Sequence, residues 1–147
     1  MWVIYMKDSK DLLSSVLKTT QMGQIGIRSV LKNPLRATLK TALKSQLEEY
    51  DAIEREALSI ASSRGWKLDN LDPTIKNMTN IMVKTKLYFG NADSKAAEMT
   101  IQGNTKGMIK NLRDLHRFNN SDKRISILTQ KLLDCEVENI RQMQGFL

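Results

Sequence analysis

A chain of 147 residues with one cysteine, two prolines and a formal charge of +7 is long enough to bury one core without a disulfide or a structural metal. A single thiol excludes an intramolecular disulfide and points to a reducing compartment, the cytoplasm. The longest apolar run, Trp2–Met6, is too short to span a bilayer and lacks the flanks of a signal peptide. Charged residues make up 27% of the chain with both signs mixed, as on a solvated helical surface, so net charge alone selects no partner.

The polar run Lys7, Asp8, Ser9, Lys10 reads as a natural beginning, which leaves Met1 and Met6 both open as starts. Helix A is expected over 9–32, because Leu13, Leu17, Thr20, Gln24, Ile27 and Leu31 recur at alternating spacings of four and three, a bundle-facing seam. Asn33 and Pro34 break it. Helix B is expected over 34–64, with Leu39, Leu43, Gln46, Tyr50, Ile53, Ala57 and Ile60 inward and Gly65 just past its end. So short a link makes A and B antiparallel.

A crossover over 65–93 follows, with one short helix after Asp72-Pro73 that places Ile75, Met78, Ile81 and Met82 on a face. It is long enough to run back along the bundle, so B and the next helix are expected to be parallel. Helix C is expected over 94–118, capped by Ser94, with Ile101, Thr105, Met108, Leu112 and Leu115 inward. After the turn at 119–121, Asp122 caps helix D, 122–146, which turns Ile125, Leu128, Leu132, Cys135, Asn139 and Phe146 inward. The expected fold class is all-α: one domain over 1–147, built as two antiparallel hairpins joined by a long crossover.

Leu43–Trp66 (LKSQLEEYDAIEREALSIASSRGW) and Glu98–Leu112 (EMTIQGNTKGMIKNL) are similar to the spore-coat-F-like four-helix proteins of spore-forming bacteria, and the chain as a whole resembles the ferritin-like superfamily. The resemblance implies a ferritin-like four-helix bundle. In its di-metal members, A and C each supply a carboxylate and B and D each a Glu-x-x-His, since paired cations need anionic oxygens and imidazole. At those places this chain offers Gln21 or Gln24 on A, Gln102 on C, Gln46-x-x-Glu49 or Glu49-x-x-Ala52 on B, and Glu136-x-x-Asn139 on D. The one histidine, His116, lies roughly 21 Å along helix C from Gln102 at 1.5 Å per residue. No metal or other cofactor is therefore expected; were a metal to bind, Glu49 and Glu136 would be ligands, joined by Gln102 and Gln21 or by Glu98. What remains is a polar layer of Gln24, Gln46, Tyr50, Thr105 and Asn139, whose amides and hydroxyls are expected to satisfy one another and set helix register.

Gly23 and Gly26 in helix A, and Gly103 and Gly107 in helix C, each cost about 1 kcal/mol relative to alanine, so a compensating gain is expected: close approach of A and C, or a slot for a ligand or partner helix. Arg36, Lys40 and Lys44 form one basic stripe and Lys106, Lys110, Arg113 and Arg117 another. Without a helix-turn-helix signature, interleaved aromatics or a basic tail, these read as solvated faces rather than a nucleic-acid surface. Cys135 reads as a buried inert thiol and His116 as a residue of a helix's last turn. The expected function is a non-catalytic structural or protein-interaction role, with a protein partner or homo-oligomer forming through the Met-rich crossover and no membrane contact; association with the spore follows from the resemblance alone. Two alternatives stand beside it: a metal or redox carboxylate bundle, and a DNA-associated basic bundle.

Overall fold

Five helices carry the described residues: α1 (Trp2–Leu31), α2 (Ala37–Ser63), α3 (Thr74–Tyr88), α4 (Ala92–Arg117) and α5 (Lys123–Gln144). The structure is a computed structural model and describes residues 2–119 and 121–147, the side chain of Trp2 excepted.

The cross-chain hydrogen bonds set the directions. Gln24 of α1 meets Asp51 of α2, and Gln21 meets Glu54, so these helices run antiparallel. Ser15 of α1 donates to Asp114 of α4, while Thr19 packs near Gly107, so α1 and α4 are antiparallel as well. Helices α2 and α4 therefore run in the same sense, and α3 carries the chain back along α1 and α4. Their N-termini share one end: the Arg36 N–H donates to Asp93 Oδ1 at 3.1 Å and the Arg36 guanidinium pairs with the same carboxylate. Antiparallel packing of α5 on α4 and α2 closes the bundle, through Asn111 with Glu136 and Cys135 with Glu49. Leu13, Leu17, Leu39, Leu43, Ile53 and Leu132 lie in the core, almost wholly withdrawn from water.

Helix α1 is already formed at Trp2, the first described residue, rather than near residue 9. No breaker stands before Ser9, and once a helix is nucleated each further residue adds a hydrogen bond for little cost. Its other end is closed by Asn33, whose amide donates to Ser29 O and Val30 O at 3.0 and 3.3 Å. That turn delays α2 to Ala37, three residues beyond the expected start. Gly65, at φ +67°, ends α2 in a six-to-one closure: Trp66 N–H reaches Ala61 O at 2.9 Å and Gly65 N–H reaches Ser62 O at 3.2 Å. Asp122 caps α5 by accepting from Ile125 N–H at 2.9 Å. The cap of α4 is Asn91, which accepts from Ser94 N–H at 3.2 Å; Ser94 is inside the helix, not its cap.

Helix α4 turns a face other than the one expected. On α4 the buried residues are Ala96, Ala97, Thr100, Asn104, Asn111 and Asp114, while Ile101, Thr105, Met108 and Leu115 are only partly covered and Leu112 is half exposed. What makes this face buriable is polar pairing: Asn104, Asn111 and Asp114 each find a partner on another helix, and so avoid the cost of about 1–3 kcal/mol that a buried polar group without one would carry. On α3 the buried pair is Val83 and Leu87, with Asn80 held by Ser29 of α1, so Met78 and Ile81 face outward while the half-exposed Met82 borders the space between α3 and its neighbours.

Candidate functional site

Helices α1, α3 and α4 do not close completely on one another. Between them runs a groove of about 540 Å³, within the range of small-molecule sites. Its length follows α1 from Lys18 to Val30, roughly 18 Å at 1.5 Å per residue. Met22, Met82 and Met99 supply adaptable apolar walls, and Ile27, Val30 and Val83 line its far end.

The four helix-interior glycines all line this groove, and they do two different jobs. Gly23 admits the Tyr50 ring from α2: a Cβ there would sit 2.5 Å from ring carbon Cζ. Gly107 admits Glu136 from α5, whose Oε2 would be 1.8 Å from an added Cβ. Gly26 and Gly103, in contrast, face open space, with nothing within 4 Å. The gain that offsets their helix-propensity cost is therefore the groove itself and two inserted polar side chains, rather than contact between the α1 and α4 backbones.

The floor is polar and tightly bonded. Tyr50 Oη donates to Asn104 Oδ1 at 2.8 Å, Asn139 Nδ2 donates to the same oxygen at 3.2 Å, and Asn104 Nδ2 donates to Thr100 O at 2.8 Å. Burial, with the negative field of Glu136 added to it, pushes the Tyr50 phenol far above its ordinary value and keeps it protonated. Glu136 is 1% exposed and no cation pairs with it among the described residues; desolvation pushes its carboxyl up to about 8, against a lowering by the bond it accepts from Asn111. Behind it, burial and then the bond it donates to Glu49 at 3.1 Å raise the Cys135 thiol well above its usual range. A protonated phenol, a protonated acid and a protonated thiol are poor nucleophiles and poor bases near neutral pH.

The remaining residues singled out from the sequence are spread over separate places. Gln24 is buried but faces α2, where it donates to Asp51 and Glu54 at 2.8 and 3.3 Å. Gln46 donates to Gln142 at 2.9 Å, between α2 and α5. Thr105 lies outside the core and only bonds back to Ile101 O at 2.8 Å; Asn104, one position earlier, takes the place expected for it. The polar layer is thus one network of Tyr50, Asn104 and Asn139, with Gln24 and Gln46 bonded elsewhere.

The four residues of the metal alternative do not face one another. Gln21 is engaged by Glu54, Asn70 and the Leu71 N–H, Gln102 is exposed at the groove's rim, Glu49 holds Cys135, and Glu136 holds Asn111. Among the described residues no three His, Cys, Asp or Glu side chains come together as a metal would need. Of the basic stripes, Arg36 pairs with Asp93 and Lys110 with Asp114, Arg117 lies over the Phe118 ring, and Lys106 and Lys110 line the groove rather than a flat face. Among the described residues no helix is long and apolar enough to cross a membrane.

Sequence comparison matches the chain to no protein-family model and no curated protein. Its fold is similar to the crystal structure of a DUF305 fragment from Deinococcus radiodurans, with a TM-score of 0.72 over 94% of this chain and 93% of that one, at 12% identity. At that identity the likeness shows the fold alone, an all-helical bundle.

Proposed function

We propose that the protein is a non-catalytic, ferritin-like bundle without a di-metal centre, and that its work is to hold a small apolar molecule in the groove between α1, α3 and α4. The observation that carries this reading is the pair Gly26 and Gly103, which keep that groove open at a cost to both helices. Parallel α2 and α4, with α3 returning along α1 and α4, support the ferritin-like assignment. The scatter of Glu49, Glu136, Gln102 and Gln21 over separate partners argues against a di-metal role. The spore-coat-F-like kinship, and any place in the spore, rests on Leu43–Trp66 and Glu98–Leu112 alone.

Binding of Nile red tests the reading. Wild-type protein enhances its emission, and Gly103→Leu, which fills open space with a better helix former, abolishes the enhancement without unfolding the chain. Equal enhancement by both proteins refutes it.

A protein-interaction role is the second reading, favoured by one observation. Ile109 and Leu112 on α4, and Met78 and Ile81 on α3, are exposed at 42%, 50%, 68% and 69%. Apolar side chains left outward on two neighbouring helices suit a protein partner or a second copy.

A further inference from the structure

The groove's two ends differ in chemistry. At one end, where α1 residue Thr19 lies beside Gly107 of α4, Lys18 and Lys106 line the rim; neither makes an ion pair among the described residues, and Lys110 sits one turn on, shared with Asp114. Thr19 adds a buried hydroxyl with no hydrogen-bond partner among the described residues. The acid at that end, Glu136, keeps its proton up to about pH 8, so it opposes an arriving anion little at neutral pH. Toward the other end the walls are Met22, Ile27, Val30, Met82, Val83 and Met99, with Gly26 and Gly103 beneath them. Lys86 is the one charge among that end's described lining residues.

A donor-rich, positively charged end joined to a long apolar trough is complementary to one kind of molecule. We propose that the occupant is a single-chain amphiphile with an anionic head, of the fatty-acid class, its carboxylate at Lys18, Lys106 and Thr19 and its hydrocarbon along Gly103, Gly26 and Met82. This rests on the groove being the ligand site. Length selects a chain over a compact ring system, because a trough of roughly 18 Å is filled by extended methylenes that displace water along its whole course. The lysines set the polarity of insertion: a carboxylate between two ammonium groups forms charge-assisted bonds that an alcohol of equal length does not.

The test compares dodecanoate with dodecanol, below micelle-forming concentrations and at neutral pH, by isothermal titration and equilibrium dialysis. Wild-type protein binds dodecanoate at least about tenfold more tightly than dodecanol, the difference a charged hydrogen bond makes. The double variant Lys18→Gln with Lys106→Gln keeps dodecanol binding and loses that preference, and Gly103→Leu binds neither. Dodecanol held as tightly as dodecanoate by the wild type overturns this inference while leaving the groove as a binding site. Failure of both chains to bind, or equal binding of both by Gly103→Leu, overturns the two together. A dimer that Gly103→Leu converts to monomer in sedimentation puts a second copy in the groove and also overturns the inference.

Discussion

Substituting Glu136 by glutamine is expected to remove most of the alkaline sensitivity of this fold. The carboxyl ionises at 4.5 when solvated and at about 8 when buried between α4 and α5. Between those values the folded chain keeps a proton that the unfolded chain has released, so rising pH favours unfolding. The protonated group's contribution is complete below about 4.5, declines by about 1.4 kcal/mol per pH unit, and is gone above about 8, a loss on the order of 3–5 kcal/mol in all. Glutamine keeps the size of the side chain and the oxygen that accepts from Asn111, and it cannot ionise. Urea unfolding followed by circular dichroism should therefore give similar midpoints for the two proteins near pH 5, and a midpoint near pH 9 that is higher for Glu136→Gln by roughly 1.5 M or more, at ~1–2 kcal/mol per molar urea. Parallel pH profiles would refute the argument. A variant less stable than wild type at high pH would show instead that the carboxylate has a cationic partner.

Two further substitution pairs set one residue against its neighbour. Gly26→Ala should raise stability by about 0.5–1 kcal/mol, because its Cβ enters open space, whereas Gly23→Ala should lower it by about 1–3 kcal/mol by displacing the Tyr50 ring; thermal melts that move both the same way would contradict the division of labour among the glycines. Asn104→Ala should cost about 2 kcal/mol, since it leaves the Tyr50 hydroxyl and the Asn139 amide without their shared acceptor, while Thr105→Ala should stay within about 0.5 kcal/mol of wild type. The reverse order in denaturant midpoints would return Thr105 to the core.

The amino-acid order alone was enough for several features decided by local chemistry or by an unambiguous seam. Seven apolar or amide positions from Leu39 to Ile60 repeat at bundle spacing on α2, and the folded helix buries all seven. Gly65 and Asp122 end and begin helices because a left-handed residue and a side-chain acceptor are needed just there, a demand visible without any tertiary partner. Helix α4 is different, because it carries two usable stripes. Ile101, Met108 and Leu112 look like a core face, but Ala97, Asn104 and Asn111, and Thr100, Gly107 and Asp114, also recur every seven residues, and that second pattern marks the side the folded helix buries. Choosing between them needs knowledge of what stands opposite. Tyr50, Glu136 and Ser15 arrive from three other helices to bond Asn104, Asn111 and Asp114, and only those partners make that face one that can be buried. The groove is undetermined by sequence for the same reason. Four glycines announce a gain to be found, but whether they admit another backbone, an inserted ring or a ligand depends on what the packed neighbours leave empty, which exists only once α3 has docked across α1 and α4.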